Sequence, residues 1–426
     1  MKDSHPAWSY SSNIYEVNLR QYTAEGTFEA FSHHLPRLKD MGVKILWFMP
    51  ITPISEKGRL GKLGSYYAAK SYVEVNSEFG TLEDFKNLVK KAHDLHFKII
   101  LDFVANHTGN DHHWIEEHPD FYVRNEQGEI INPHGWSDVS ELNYKNDELR
   151  KAMVHAMKFW IKECDIDGYR CDMAHLVPLD FWVTAKKKLS KLKENLFWLA
   201  ECEVPEYHEV FDATYTWRWM HASQEFYQKR MNLQSLLTVL YKSVTEFHGN
   251  AFRTYFTSNH DENSWNGTEY EKYGNAALLF AVFSCTWDGI PMLYSGQELP
   301  NHKRLKFFEK DVIEWRDHFE LHNFYKTLLT LKSNNDALRA GDSDVLTRII
   351  SHPDDQEVFS FLRINGDHEV FVILNCSDHG IDFHVKNVKG VFKNVFGGPD
   401  VSFNNDNHVY ANEWGYLVFE KVNMLS

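Results

Sequence analysis

The stretch GYRCDMAHLVP, residues 168–178, places an arginine and an aspartate two positions apart beside apolar residues typical of a buried strand. Two interpretations fit this pattern. Arg170 and Asp172 form a buried ion pair that serves only the structure, or Asp172 is a catalytic carboxylate with a cationic neighbour. The rest of the sequence decides between them, because an active site needs further polar residues at the ends of other strands.

Short apolar runs alternate with amphipathic segments through the first 340 residues. Residues 81–95 keep helical spacing, and Thr81 with Asp84 predicts a capping box at their start. Residues 27–42 predict another helix ending at Gly42, with Pro36 in its first turns or at a kink. Residues 148–164 predict a third helix. The predicted strands are residues 13–19, 43–49, 98–104, 166–172, 196–201, 212–217, 253–258 and 290–295.

Repeated βα units of this kind predict an α/β fold with a parallel (β/α)8 TIM barrel, and a doubly wound open sheet is the alternative. Residues 107–145 are rich in Gly, Pro and Asn without a helical period, which predicts a short inserted loop domain. From about Gly341, short strands alternate with turns and predict a C-terminal antiparallel β-sandwich. The predicted domains are therefore the barrel in two parts (1–106 and 146–340), the insertion (107–145) and the β-sandwich (341–426).

Composition and charge limit the possible partners. The net charge is −15 and there is no long basic run, which argues against nucleic acid as a partner. The longest apolar stretch, from Ala276, is shorter than the about 20 residues of a membrane span, so no membrane contact is expected. Five scattered cysteines without a CxxC pair predict buried thiols rather than zinc or disulfides.

The N-terminus has no apolar run of signal-peptide type, which favours a cytoplasmic protein. A secreted protein whose leader had been removed would show the same pattern. The sequence leaves the oligomeric state open.

Polar residues of the kind that enzymes use follow four of the predicted strands. Any one of them is more often a helix cap or half of an ion pair than a catalytic residue. Their joint placement is harder to explain by structure alone, because the carboxyl ends of barrel strands carry the active site. They are Asn106 and His107 after the third strand, Asp172 after the fourth, Glu201 after the fifth, and Asn259, His260 and Asp261 after the seventh.

The four motifs DFVANH (102–107), GYRCD (168–172), LAE (199–201) and TSNHDE (257–262) resemble, in order and in strand assignment, those of the α-amylase family of retaining glycoside hydrolases. The similarity covers roughly residues 13–338, and the small C-terminal β domain also matches the family plan. Each motif alone is weak, and the four together are highly specific. The stretches EFGTLEDFKNLVKKAH and YSGQE support the resemblance.

The resemblance implies a role for each residue at the rim. Three are catalytic: Asp172 as nucleophile, Glu201 as general acid and later base, and Asp261 as the residue that holds the substrate and stabilises the transition state. Arg170 beside Asp172 would keep that carboxyl ionised by charge proximity. The remaining implied substrate-binding residues are His107 and His260, which would bond sugar hydroxyls, and Tyr67, which would form a stacking floor.

The implied reaction cleaves α-glucosidic bonds in starch-derived glucans or maltooligosaccharides through a covalent glycosyl-enzyme, with the two carboxyls about 5–5.5 Å apart. Glu201 is expected to have a raised pKa because of its apolar strand and acidic neighbours. Glu203 is the rival for the acid. A glucan transferase or isomerase with the same triad is an alternative reading. So is a non-catalytic binding or scaffold relative, although such proteins typically lose triad acids that this chain keeps.

No cofactor is required by this chemistry, but a structural calcium is possible. Asn106 with Glu141 resembles the family's calcium site, with Glu141 in place of the usual aspartate, and oxygen ligands suit calcium. The family's Lys-His pair after the nucleophile is replaced by His175 and Leu176. Met173, directly after the nucleophile, leaves the choice between α-1,4 and α-1,6 bonds open.

Overall fold

The computed structural model describes residues 5–316, 318–352 and 356–422. Among these residues no helix is both long and apolar enough to cross a membrane. In the described residues the strands are β1 Ile14–Val17, β2 Ile45–Phe48, β3 Lys98–Phe103, β4 His107–Gly109, β5 Val139–Glu141, β6 Gly168–Cys171, β7 Phe197–Ala200, β8 Ala213–Tyr215, β9 Phe252–Tyr255, β10 Ile290–Tyr294, β11 Leu346–Ile350, β12 Val358–Asn365, β13 His368–Asn375, β14 Ile381–Asn394, β15 Val401–Ala411 and β16 Tyr416–Lys421.

Eight of these strands close into a parallel barrel in the order β1-β10-β9-β8-β7-β6-β3-β2. Each contains part of one of the eight apolar runs, so the predicted TIM barrel is confirmed and the open sheet is excluded. The α-helices of the described residues are α1 Leu19–Tyr22, α2 Phe28–Ser32, α3 Leu35–Met41, α4 Leu82–Asp94, α5 Trp114–Glu117, α6 Asp147–Cys164, α7 Leu179–Leu189, α8 Trp217–Tyr227, α9 Leu233–Glu246, α10 Glu269–Tyr273, α11 Ala277–Thr286 and α12 His322–Asn334.

Local sequence signals explain where the helices begin and end. Thr81 and Asp84 form the predicted capping box at the start of α4. Pro36 divides the predicted helix 27–42 into α2 and α3, because proline is accepted in the first turn of a helix but not in its interior. Gly42 ends α3 with φ 94°, a left-handed conformation that favours glycine.

The segment 107–145 contributes side chains to the cavity that Asp172 and Glu201 also line. Its strands β4 and β5 pair antiparallel, with His107 opposite Glu141. Between them, the ring of Trp136 lies 5.6 Å from the ring of His107. The insertion therefore contributes side chains to the mouth of the barrel.

The C-terminal strands form one antiparallel sheet in the order β11-β12-β13-β16-β14-β15. The prediction of an antiparallel β domain is confirmed. Its strands form one sheet that curls into a half-barrel, whereas a sandwich has two facing sheets. Phe371 of β13 lies 5.4 Å from Phe403 of β15, although two strands separate β13 from β15. On the other face, Phe361 packs edge-on against Trp287 after α11, which fixes the sheet to the barrel.

Gly168, the first residue of β6, is required by a close approach of two strands. It pairs with Phe197 of β7, and a Cβ at this position would lie 1.9 Å from the Phe197 carbonyl oxygen. A backbone atom cannot move away as the end of a side chain does. Strand β6, which carries Arg170, can therefore pair with β7 in the observed register only if residue 168 is glycine.

Replacing Gly168 by alanine is expected to lower the free energy of unfolding by about 1–3 kcal/mol, since the added methyl forces β6 and β7 apart. Chemical denaturation followed by fluorescence measures the change. Gly249→Ala is the matched control, because a Cβ there meets no atom within 4 Å. Equal denaturation midpoints for the two variants would contradict this account.

Candidate active site

The barrel register brings the acidic strand-end residues to one cavity of about 230 Å³. Asp102 in β3 pairs with Arg170 in β6, while Asp172 and Glu201 directly follow β6 and β7. The cavity lining includes all three predicted catalytic acids and two of the predicted substrate-binding residues. These lining residues are Asp172, Glu201, Asp261, Tyr67 and His107.

The Arg170 guanidinium, with no exposed surface, lies at the centre of three carboxylates. Its Nη1 donates to Asp102 at 2.9 and 3.1 Å and to Asp172 Oδ1 at 3.0 Å. Its Nη2 lies 2.9 Å from Glu201 Oε2. One planar group thus contacts the predicted nucleophile and the predicted acid at the same time, which the fixed fork of arginine allows.

Aromatic rings seal this charge from water. The guanidinium carbon lies 4.8 Å from the ring centre of Trp47, 5.7 Å from Tyr67 and 5.8 Å from Tyr215. Asp102 accepts further hydrogen bonds from Trp47 Nε1 at 3.2 Å and from the Tyr67 hydroxyl at 3.0 Å. A buried charge needs such partners, because desolvation costs several kcal/mol per ion.

Burial raises the pKa of both carboxyls that are predicted to react, those of Asp172 and Glu201. It raises the pKa of Asp172 to about 6, although Arg170 acts in the opposite direction. It raises the pKa of Glu201 to about 7, again against Arg170 and with the help of Asp172 and Asp261. The predicted rise at Glu201 is confirmed. Arg170 lowers the pKa of Asp172, as expected from charge proximity, but it moderates the effect of burial without reversing it.

The backbone after the predicted nucleophile holds the predicted acid. Met173 adopts φ 40°, a left-handed conformation that is unusual for a residue with a side chain. This turn aims the Met173 N–H at Glu201 Oε2, 2.9 Å away. Strained backbone of this kind persists only where the surrounding structure enforces it, and it occurs often at active sites.

His260 links two acids and an aromatic ring. Its Nδ1 lies 2.5 Å from Glu16 Oε1, and its Nε2 lies 3.3 Å from Asp261 Oδ2 and 2.8 Å from the Tyr67 hydroxyl. Burial by itself lowers the pKa of His260, but Asp261 and Glu16 raise that pKa by a larger amount. The pKa therefore lies well above its usual value, and the ring is positively charged. Burial also raises the pKa of Asp261, but His260 outweighs it and keeps that carboxylate ionised.

Comparison with known proteins agrees with this geometry. Residues 9–139 and 125–312 match the family profile described as the alpha-amylase catalytic domain. The chain belongs to the alpha-amylase family. Proteins named alpha-amylase and cyclomaltodextrinase, which are glycosidases, are similar to this chain, and so are proteins named as maltosyltransferases. The match to the profile covers all eight barrel strands, the insertion and the motif residues above.

Individual relatives resemble the chain over most of its length. Alpha-amylase 2 of Dictyoglomus thermophilum is 25% identical over 92% of this chain and 74% of its own. The crystal structure of an alpha-amylase from Lactobacillus plantarum has TM-score 0.87 at 29% identity, covering 97% of this chain and 100% of its own. The maltogenic alpha-amylase AmyB from Thermotoga neapolitana has TM-score 0.89 at 28% identity, covering 97% and 99%. The chain spans 56% to 74% of the lengths of three curated relatives.

Glu203, the rival for the acid of this alpha-amylase family site, is held elsewhere. Its Oε1 accepts from Arg253 Nη2 at 2.7 Å, and its Oε2 accepts from the Arg218 backbone N–H at 2.8 Å. It lines a neighbouring cavity and is absent from the lining of the cavity that contains Asp172. The geometry therefore favours Glu201 over Glu203.

His107 is a neutral group at the cavity wall. Burial lowers its pKa to about 4, so the ring offers hydrogen bonds without a charge at neutral pH. Its carbonyl oxygen accepts from the Tyr72 hydroxyl at 2.8 Å, which fixes the backbone at the start of the insertion. This placement suits the predicted contact with sugar hydroxyls.

The predicted calcium ligands lie near each other but do not gather further acids. Asn106 is buried, with its backbone carbonyl accepting from Leu142 N–H at 3.1 Å, and Glu141 is partly exposed at the end of β5. Across the described ranges, no three His, Cys, Asp or Glu side chains form a group that could hold a metal ion. The calcium site stays a prediction.

Two residues of the site escaped the sequence analysis. Asp102 binds Arg170 from within β3, and Glu16 binds His260 from within β1. Both are completely or almost completely buried. The signal was an acidic residue inside an apolar strand, where a charge persists only with a partner. Asp102 and Glu16 each lie one residue before the last residue of a strand, whereas the predicted catalytic acids follow the strand ends.

Arg170→Lys is expected to lower kcat/KM about 100-fold or more, because a lysine cannot contact three carboxylates in one plane. Steady-state kinetics on a maltooligosaccharide measures the loss. Arg363→Lys is the matched control: this guanidinium, from β12 of the C-terminal sheet, is equally buried and bonds Asp288 and the backbone carbonyls of Ala337 and Arg339. It should lower the melting temperature while leaving kcat/KM unchanged. Similar kinetic losses for both variants would contradict the central place of Arg170.

Proposed function

We propose that this protein hydrolyses α-glucosidic bonds in starch-derived glucans or maltooligosaccharides, with retention of configuration at the anomeric carbon. The observation that carries the proposal is the bridge made by Arg170 between Asp172 and Glu201 at the base of one cavity. A close pair of carboxyls in which one is ionised and one is protonated is the arrangement that retaining glycosidases need.

In the first step, Asp172 attacks the anomeric carbon while Glu201 donates its proton to the leaving oxygen. The raised pKa of Glu201, about 7, keeps a large share of this carboxyl protonated at neutral pH. Asp172, with a pKa of about 6, is mostly ionised under the same conditions. Asp261 holds hydroxyls of the sugar and stabilises the positive charge that develops on the ring.

In the second step, Glu201 takes a proton from water while the water oxygen attacks the anomeric carbon from the face that the leaving group vacated. The bond between that carbon and Asp172 breaks, which frees the Asp172 carboxylate. Two inversions at one carbon restore the starting configuration. Asp102 is a positioning residue: through Arg170 it holds the guanidinium against the two reacting carboxyls. The net charge of −15 disfavours an anionic substrate, which is compatible with an uncharged glucan.

Proton NMR during the first minutes of maltooligosaccharide cleavage tests the stereochemistry. The first product signal should be the α anomer, with the β signal growing later through mutarotation. Separation of the products distinguishes hydrolysis, which shortens the substrate, from transfer, which also creates longer chains. An initial β signal would exclude the double-displacement mechanism, and longer chains as main products would favour the transferase alternative.

The pH dependence of kcat/KM should be a narrow bell. Activity rises as pH passes about 6, where Asp172 loses its proton, and falls as pH passes about 7, where Glu201 loses the proton that it must donate. Initial rates at low substrate concentration measure both limbs. In Glu201→Gln the residual activity should have no alkaline limb. Wild-type activity that keeps rising well above the pKa of Glu201 would contradict these roles.

Leaving-group dependence separates Glu201 from Glu203. Glu201→Ala should lose far more activity on maltooligosaccharides than on α-glucosyl fluoride, because fluoride departs without protonation. Azide should restore part of its turnover by replacing the base in the second step. Glu203→Ala should show a smaller loss that is the same for both substrates. An exchange of these behaviours would identify Glu203 as the acid.

A further inference from the structure

The rim of the barrel is closed above β1 by two loops that bond to each other. The first follows β2 and the second follows β10, the two strands that flank β1 in the barrel. The Leu63 N–H donates to the Phe308 carbonyl at 2.9 Å, and the Lys62 N–H donates to Glu309 Oε1 at 2.9 Å. The two loops therefore form one continuous wall, called here the β1 wall, made of residues 60–64 and 306–311.

Two buried side chains of α1 anchor the β1 wall to the barrel. Arg20 Nη1 donates to the Gly64 carbonyl at 3.1 Å, which holds the first loop. Gln21 Nε2 donates to the Glu309 carbonyl at 2.6 Å, and its Oε1 accepts from the Asp311 N–H at 2.6 Å, which holds the second. Both side chains are fully buried. The wall is thus a fixed part of the structure.

The inner face of the β1 wall is apolar and borders the catalytic cavity. Leu60, Phe307 and Phe308 line that cavity together with Tyr67 and Asp172. The Phe307 ring lies nearly parallel to the Tyr67 ring, with centres 6.3 Å apart. The β1 wall therefore bounds the catalytic cavity on this side.

A second cavity opens on the opposite side, above β7 and β8. It shares Glu201, Met173 and Asp261 with the first cavity, but Asp172 lines only the first. Trp217, the first residue of α8, lines the second cavity.

The Trp217 ring is fixed by Tyr215 and Phe256, with ring centres 5.3 and 5.2 Å away. The His221 ring stacks on it at 5.8 Å and also lines the second cavity. Flat aromatic faces of this kind suit the apolar face of a sugar.

The positions of the two acids orient the substrate. The nucleophile contacts the sugar that becomes attached to the enzyme, and the acid contacts the oxygen of the leaving chain. The attached part therefore lies between Asp172 and the β1 wall, and the leaving part lies beyond Glu201. In a glucan, the attached part is the non-reducing-end side of the broken bond.

We infer that the enzyme acts at chain ends: it removes short units from the non-reducing end of a maltooligosaccharide, while the leaving chain rests on Trp217 and His221. This inference rests on the proposed function and adds the direction and mode of attack. An enzyme that cleaves inside long chains needs a groove that is open on both sides of the two acids. The β1 wall closes the groove on the side of Asp172.

A pair of p-nitrophenyl maltoheptaosides tests the mode of attack. In one the non-reducing end is free, and in the other its 4- and 6-hydroxyls carry an ethylidene group. The free substrate should be turned over faster by about tenfold or more, since the wall leaves no room for the added group. Its products should be short saccharides from the non-reducing end. Equal rates would overturn the inference and leave the proposed function intact, whereas no turnover of either substrate would overturn the proposed function itself.

Two variants test the two sides of the cleft. Phe308→Ala should narrow the rate difference between free and blocked substrates, because it removes a side chain of the β1 wall. Trp217→Ala should raise the KM for maltoheptaose by about 3- to 10-fold, and by more than it raises the KM for α-glucosyl fluoride, since fluoride leaves no sugar on that side.

Tyr410→Ala is the control for both, because this exposed aromatic residue lies in the C-terminal domain. It should change none of these ratios. An unchanged KM in Trp217→Ala, or an unchanged preference in Phe308→Ala with both proteins folded, would overturn the corresponding side of the inference.

Discussion

The site depends on the ion pairs that the buried guanidinium of Arg170 makes with three carboxylates. It contacts Asp102, Asp172 and Glu201, and all four side chains are buried or nearly so. One positive charge cannot compensate three negative charges in a medium of low dielectric constant, so the cluster favours keeping one proton. Glu201, whose pKa rises to about 7, is the carboxyl that keeps it. The proposed acid and the proposed nucleophile thus differ in protonation because they share a limited amount of positive charge.

The pairing of the barrel strands brings the members of this cluster together. Asp102 and Arg170 are direct partners in the β3–β6 pairing, and Gly168 permits the close approach of β6 to β7 two residues earlier. The left-handed turn at Met173 then directs a backbone N–H to Glu201. On the far side, His260 carries a second positive charge between Glu16 and Asp261. The site therefore combines two cations with several acids, and each cation is completed by an acid that lies inside a strand.

The sequence was sufficient to predict the barrel, and it singled out three acidic residues that the structure brings to one cavity. The apolar runs marked all eight barrel strands, since strands buried on both faces leave a continuous apolar signal. Asp172, Glu201 and Asp261 were predicted because they follow such runs, and they line one cavity. Asp102 and Glu16 were missed because their roles depend on partners from other parts of the chain, which a single sequence does not display.

The β1 wall was also missed, because it arises from hydrogen bonds between loops about 245 residues apart in the chain, such as Leu63 to Phe308. The curl of the C-terminal sheet was hidden for the same reason: alternating strands look alike whether they form one curled sheet or two flat ones.

The central claim is that Asp172 forms a covalent bond to the sugar, and trapping that intermediate tests it most directly. A 5-fluoro-α-glucosyl fluoride retains a good leaving group while its ring fluorine slows both steps, so the glycosyl-enzyme should accumulate in Glu201→Gln, where the second step lacks its base. Peptide mass spectrometry after proteolysis should find the added sugar on the peptide that contains Asp172, and Asp172→Asn should remain unlabelled. A label on Asp261, on Asp102 or on Glu203, or rapid turnover of the reagent without any label in the Glu201 variant, would contradict the account.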